Sequence, residues 1–86
     1  MAKLDLYRNQ INKIDKKIVA DLIKRYDIVK NIDIYKKQNN IPVTNTNREQ
    51  IVIEAVRSMA IKNLSPDMAE AIFKEIIKQA KVLQSK

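Results

Sequence analysis

The stretch Asp21–Lys37, DLIKRYDIVKNIDIYKK, decides how the chain folds and poses a puzzle. Its apolar residues, Leu22, Ile28, Val29 and Ile32 among them, recur every three or four positions, the spacing of one helix face. Arg25 falls on that same face, and Lys36 lies close beside it. Fixed positive charge thus occupies a position where burial favours leucine, and an unpaired charge there is costly.

The pattern extends back to the N-terminus. In a heptad counted from Leu4, the a positions are Leu4, Ile11, Ile18, Arg25 and Ile32, and the d positions are Tyr7, Ile14, Asp21, Ile28 and Tyr35. The e row holds Arg8, Asp15, Leu22, Val29 and Lys36. Neither proline nor glycine interrupts the seam, which predicts one helix from about residue 3 to 38, near 50 Å long at 1.5 Å per residue. That is several times the usual helix length. Two short neighbours cannot cover such a stripe, so a second chain is its natural partner.

Asn39-Asn40 is expected to end this helix, because asparagine tolerates the left-handed conformation that glycine usually supplies. Ile41-Pro42-Val43 reads as an extended connector within a loop over 39–45. Thr46-Asn47-Arg48-Glu49 has the form of a capping box opening helix 2, over about 46–62. Ile51, Val52, Ala55, Val56, Met59 and Ala60 share its expected inward face. Ser65-Pro66-Asp67 then supplies an N-cap, a first-position proline and a first-turn acid for helix 3, over about 65–84. Its inward set is Met68, Ala69, Ile72, Phe73, Ile76, Ile77 and Ala80. The expected fold is all-α, with three helices in a single domain over 1–86.

Composition narrows the function. The chain of 86 residues has no cysteine, histidine or glycine. Disulfides, thiolate metal sites, imidazole bases and phosphate-cradling glycine loops are therefore excluded. No run approaches the roughly 18 apolar residues of a membrane span, so the chain reads as soluble and cytoplasmic, without a membrane partner. The formal charge is +7, from 17 Lys+Arg against 10 Asp+Glu, which attracts nucleic acid, acidic membrane or small anionic metabolites. A nucleic-acid module would carry its charge on one exposed face with interleaved aromatics. Here lysine, acid and asparagine are mixed, and Tyr7, Tyr26, Tyr35 and Phe73 are the only rings.

The cations are best weighed as a set. Arg25 alone has a bland explanation, an ion pair with Asp21 one turn earlier. Lys36 follows eleven residues on, about 16 Å along the axis and on nearly the same side, so the two side chains can converge on one small ligand. The bland alternative for Lys36 is a solvated helix end, where a cation suits the macrodipole. Arg8 lies seventeen residues before Arg25, about 25 Å away, and cannot grip the same small molecule from the same chain. If both act, Arg8 serves a site in another subunit; otherwise it is a surface arginine. Gln84 continues the Phe73, Ile77, Ala80 stripe with an amide, unless that last turn is simply solvated. Arg48 and Glu49 open helix 2, where Glu49 also suits a capping role. Together these are cations, an amide and a carboxylate, with no nucleophile among them.

These residues sit in motifs that resemble a known family. Leu4 to Ile18 reads L-x-x-x-R-x-x-I-x-x-I-D-x-x-I, and Leu22 to Arg25 reads L-I-x-R. Tyr35-Lys36 stands shortly before Ile41-Pro42-Val43, Arg48-Glu49 follows, and I-F-x-x-I-I leads on to Gln84. In this order and spacing the chain resembles the all-helical, type II class of chorismate mutases over nearly its whole length. The resemblance implies an intertwined homodimer of three-helix subunits that converts chorismate to prephenate in phenylalanine and tyrosine biosynthesis. It implies no cofactor and no metal. By the same resemblance, Arg25 binds one substrate carboxylate and Arg8 crosses from the partner subunit to bind the other. Lys36 and Gln84 flank the ether oxygen, Arg48 supports carboxylate binding, and Glu49 accepts from the ring hydroxyl. Two positions depart from the family pattern: Asn45, often aspartate near the ring hydroxyl, and Ala80, serine in some members. The alternatives are isochorismate pyruvate lyase on the same fold, or a basic helical binding or dimerisation module without catalysis. Loss of the chorismate reaction is not implied by either departure, since asparagine still hydrogen-bonds.

Overall fold

The computed structural model describes residues 2–84, as three helices: α1 (Ala2–Gln38), α2 (Thr46–Met59) and α3 (Pro66–Gln84). No strand occurs among the described residues, and the all-α expectation holds. At 1.5 Å per residue the 37 residues of α1 span about 55 Å, close to the 57 Å long axis of the molecule.

α1 stops by the chemistry its asparagines suggest. Asn40 takes the left-handed conformation at φ 57°. Ile41 N–H then donates back to Lys36 O at 2.8 Å, and Asn40 N–H reaches Lys37 O at 3.5 Å. This paired closure is the Schellman arrangement, built here on asparagine in a chain that has no glycine. It turns the connector back across the end of α1.

At the start of α2 the structure corrects the capping box. Asn45, not Thr46, is the N-cap: its side-chain oxygen accepts from Arg48 N–H at 3.0 Å. Glu49 therefore lies one position too late to close a box, and its carboxylate is free for other work. α2 also ends at Met59, short of residue 62, because Ala60 is extended and Lys62 is left-handed at φ 56°. Ser65 caps α3, its hydroxyl accepting from Met68 N–H at 3.1 Å ahead of the first-position Pro66.

α2 and α3 form an antiparallel-type hairpin that holds most of the core: Ile53 and Val56 from α2, Ala69 and Ala80 from α3. Arg57 clamps its turn, reaching Asp67 at 2.9 Å and Glu70 at 3.0 Å, while Lys74 reaches Glu70 at 2.7 Å. The hydrogen bond from Lys74 first, helped by Arg57, holds the Glu70 carboxyl below its ordinary value. The bond with Asp67 is the main cause that holds Arg57 above its own. Not all expected inward residues are covered within one chain: Ile51, Met59, Met68 and Ile72 remain exposed.

α1 leans on α3 through its C-terminal third only. Tyr26 Oη donates to Ile76 O at 2.9 Å, and Lys30 Nζ reaches Leu83 O at 3.5 Å. Along this contact Asp33 is 3% exposed, and neither carboxylate oxygen has a hydrogen-bond partner among the described residues. From Ala2 to Asp21 every residue is exposed, including the stripe Leu4, Tyr7, Ile11, Ile14 and Ile18.

Candidate active site

Where the C-terminal third of α1 crosses the hairpin, the three helices and the connector line a half-open cavity of about 280 Å³. Ile28, Val29 and Ile32 of α1, Val52 of α2 and Ile77 of α3 supply apolar wall. The polar lining is Arg25 and Lys36 from α1, Asn45, Arg48 and Glu49 around the α2 N-terminus, and Lys81 and Gln84 from the last turns of α3. Four cations thus face one carboxylate. Asn45, Arg48 and Glu49 also lie at a helix N-terminus, whose partial positive charge adds to the attraction for anions.

Each group sits where it does for a local reason. Arg25, half-buried, makes no ion pair with Asp21, and no hydrogen bond of its side chain occurs among the described residues. The bland explanation of its position therefore fails. Lys36 is half-buried and donates to Val43 O at 3.1 Å, which ties the connector over the cavity. An ammonium has three donors, so two are left for a ligand. Gln84 is half-buried at the end of α3, with its amide unpaired among the described residues. Glu49 is fixed by Lys81 at 2.8 Å, a contact that joins the start of α2 to the end of α3.

Of the residues singled out in the sequence, Arg25, Lys36, Asn45, Arg48, Glu49 and Gln84 line this one cavity. Ala80, a buried residue, lines it too. Arg8 does not; it lies on the exposed N-terminal half of α1. Lys81 was missed. Its sequence signal was weak, since a lysine one residue after the apolar stripe reads as solvated. Only the approach of Glu49 from another helix gives it a role. Among the described residues no group of His, Cys, Asp and Glu is arranged to hold a metal ion.

An all-helical domain with a small, strongly cationic cavity is built to grip a compact anion and to offer it fixed hydrogen-bond donors. The sequence pattern of the chorismate mutase type II family matches residues 7–85, and the chain belongs to that family. It is 37% identical over 81 residues to the bifunctional chorismate mutase/prephenate dehydratase of Buchnera aphidicola subsp. Schizaphis graminum, covering 93% of this chain and 21% of that protein. It is 29% identical over 83 residues to the chorismate mutase of Methanocaldococcus jannaschii, covering 95% of this chain and 84% of that one. A second bifunctional chorismate mutase/prephenate dehydratase, from Buchnera aphidicola subsp. Baizongia pistaciae, is 32% identical over 81 residues. The chain spans about a fifth of the length of the bifunctional relatives. No solved structure matches it significantly.

Proposed function

We propose that this protein is a chorismate mutase, an isomerase that converts chorismate to prephenate in the supply of phenylalanine and tyrosine. The observation that carries the reading is Arg25: a half-buried guanidinium with no partner among the described residues, in a cavity it shares with Lys36, Arg48 and Gln84.

The rearrangement suits this inventory. A C–O bond breaks as a C–C bond forms within one molecule, so neither nucleophile nor metal is required, and a chain without histidine or cysteine loses nothing. What the enzyme must do is hold a flexible dianion in a compact chair, an orientation task. It must also meet the negative charge that develops on the ether oxygen, an electrostatic task. Arg25 binds one carboxylate with its planar fork. Lys36 and Gln84 donate to the ether oxygen. Arg48 supports the carboxylates, while Glu49 and Asn45 meet the ring hydroxyl.

The second carboxylate needs a cation from elsewhere. The apolar stripe of α1 is exposed over its first twenty residues, and Arg8 rides beside it. Pairing two copies through that stripe gives a homodimer in which the partner subunit's Arg8 completes each cavity. We place the enzyme in the cytoplasm; no helix among the described residues is long and apolar enough to cross a membrane.

The test is chorismate consumption by the purified protein, with the product identified. Prephenate is the expected outcome. Release of pyruvate from isochorismate, with chorismate untouched, would move the assignment to the lyase; inertness toward both would end it.

A further inference from the structure

Lys81 belongs to none of the motifs that carry the family resemblance, yet it makes the one ion pair that reaches a cavity-lining carboxylate among the described residues. We propose that Lys81 is a positioning residue: it holds one oxygen of Glu49 so that the other is left for the substrate's ring hydroxyl, and so that Glu49 does not capture the arginines. The inference rests on the chorismate mutase reading above.

Lys81 Nζ lies 2.8 Å from Glu49 Oε1, and the pair joins the first turn of α2 to the last turn of α3. Both side chains line the candidate active-site cavity, and both also line a second groove of about 310 Å³ between α2 and α3. The ion pair is therefore part of the wall between the two spaces. Glu49 is the less exposed partner, at 28% against 48% for Lys81.

A carboxylate in this cavity is a hazard as well as a tool. Unrestrained, Glu49 has two nearby guanidiniums to choose from: Arg48 next to it in sequence and Arg25 across the cavity. A pairing with either would withdraw a donor that a dianionic substrate needs. Lys81 satisfies Glu49 at the wall between the two spaces, and Arg25 is left without a side-chain partner among the described residues. Sequence reasoning sees a lysine and a glutamate 32 residues apart; only the crossing of α2 and α3 makes them one device.

The experiment is a double-mutant cycle on the full chain with chorismate as substrate, using Lys81→Met and Lys81→Arg, each with Glu49 intact and with Glu49→Gln. Lys81→Met is expected to raise KM by about 5- to 20-fold while kcat falls less than about threefold, since ground-state positioning is what it loses. Lys81→Arg should stay within about twofold of wild type, because it restores the ion pair. In the Glu49→Gln background, Lys81→Met should change KM by less than about twofold, the non-additivity expected of residues that act through one another. Equal effects in both backgrounds, or a Lys81→Met enzyme identical to wild type, would overturn the inference. Far-UV circular dichroism checks the helix content of each variant, and Lys81→Gln repeats the measurement should the methionine variant lose helix. A wild-type chain inert toward chorismate would overturn the functional reading and this inference together; an active wild type with additive losses would overturn this inference alone.

Discussion

The two halves of α1 share one apolar rhythm and live in different surroundings. From Ala2 to Asp21 the stripe is bare within a single chain, whereas from Leu22 onward half-buried positions return and α3 covers part of the helix. The periodicity is the same in both. What differs is whether the chain's own hairpin can reach. α2 and α3 together are shorter than α1, and they pack at its C-terminal end, where the cavity forms. Helical spacing therefore reports which face is apolar and says nothing about what covers it. The covered half of α1 carries the residues to which we assign the chemistry, and the bare half is the surface we assign to a second copy.

The largest loss is expected at Lys36, on the covered half. Lys36→Ala is expected to lower kcat by on the order of 10²–10³, the usual loss when a transition-state donor is removed. Steady-state kinetics with circular dichroism would check it. Because Lys36 also ties down Val43, some change in KM should accompany the loss. A variant with wild-type kcat would take Lys36 out of the site.

The bare half is tested by mixing subunits. Arg8→Ala and Arg25→Ala chains should each be nearly inactive alone. In an equal mixture that exchanges freely, half of the dimers are mixed and each holds one intact site, so about a quarter of wild-type activity should return. No recovery after exchange would separate Arg8 from the cavity and leave the stripe without a catalytic purpose.

A smaller effect is expected at Asp33, where the covered half begins to fail by its own rules. A buried carboxylate without hydrogen bonds destabilises the fold, and replacing it by an apolar group of modest size removes that cost. Asp33→Ala should raise stability by about 1 kcal/mol in urea denaturation. A loss instead would mean that the carboxylate finds a donor in the assembled dimer.

The smallest effect concerns the hairpin that both halves rely on. Lys74, and then Arg57, hold Glu70 below its ordinary value of 4.5, so its folded value is the lower one. Its contribution is complete above the unfolded value and is lost as pH falls through the folded one. Melting temperature should therefore drop more steeply below about pH 4.5 in the wild type than in Glu70→Gln. The difference should be slight, because the groups are only partly buried and Lys74 is 64% exposed.

Much of this architecture was legible in the sequence. The uninterrupted heptads foretold α1, Asn39-Asn40 marked its end, and Ser65-Pro66 marked the start of α3. Arg25 stood out because a charge among isoleucines is a local contradiction. The unread parts are those set by contacts between distant segments. Thr46 and Asn45 are both competent caps, and it is Asn45 that has the extended backbone and the side-chain bond to Arg48 N–H. Lys62 took a left-handed conformation that its type does not advertise, as the turn between α2 and α3 had no glycine to use. Ile53 belongs to the core, but Ile51 beside it was the one counted inward, because a short helix leaves the phase of its stripe loosely fixed. Lys81 needed Glu49 to come across from another helix.

The unbroken run of α1 has a consequence for how the chain can change. Between Arg8 and Arg25 the helix has no kink, loop or proline to take up slack, so it acts as a ruler of about 25 Å. One inserted residue would lengthen that ruler by only about 1.5 Å but would swing Arg8 by about 100° around the axis. In the proposed dimer such a swing empties both cavities of an arginine at once. The segment should therefore accept many exchanges of side chain while rejecting nearly every insertion or deletion.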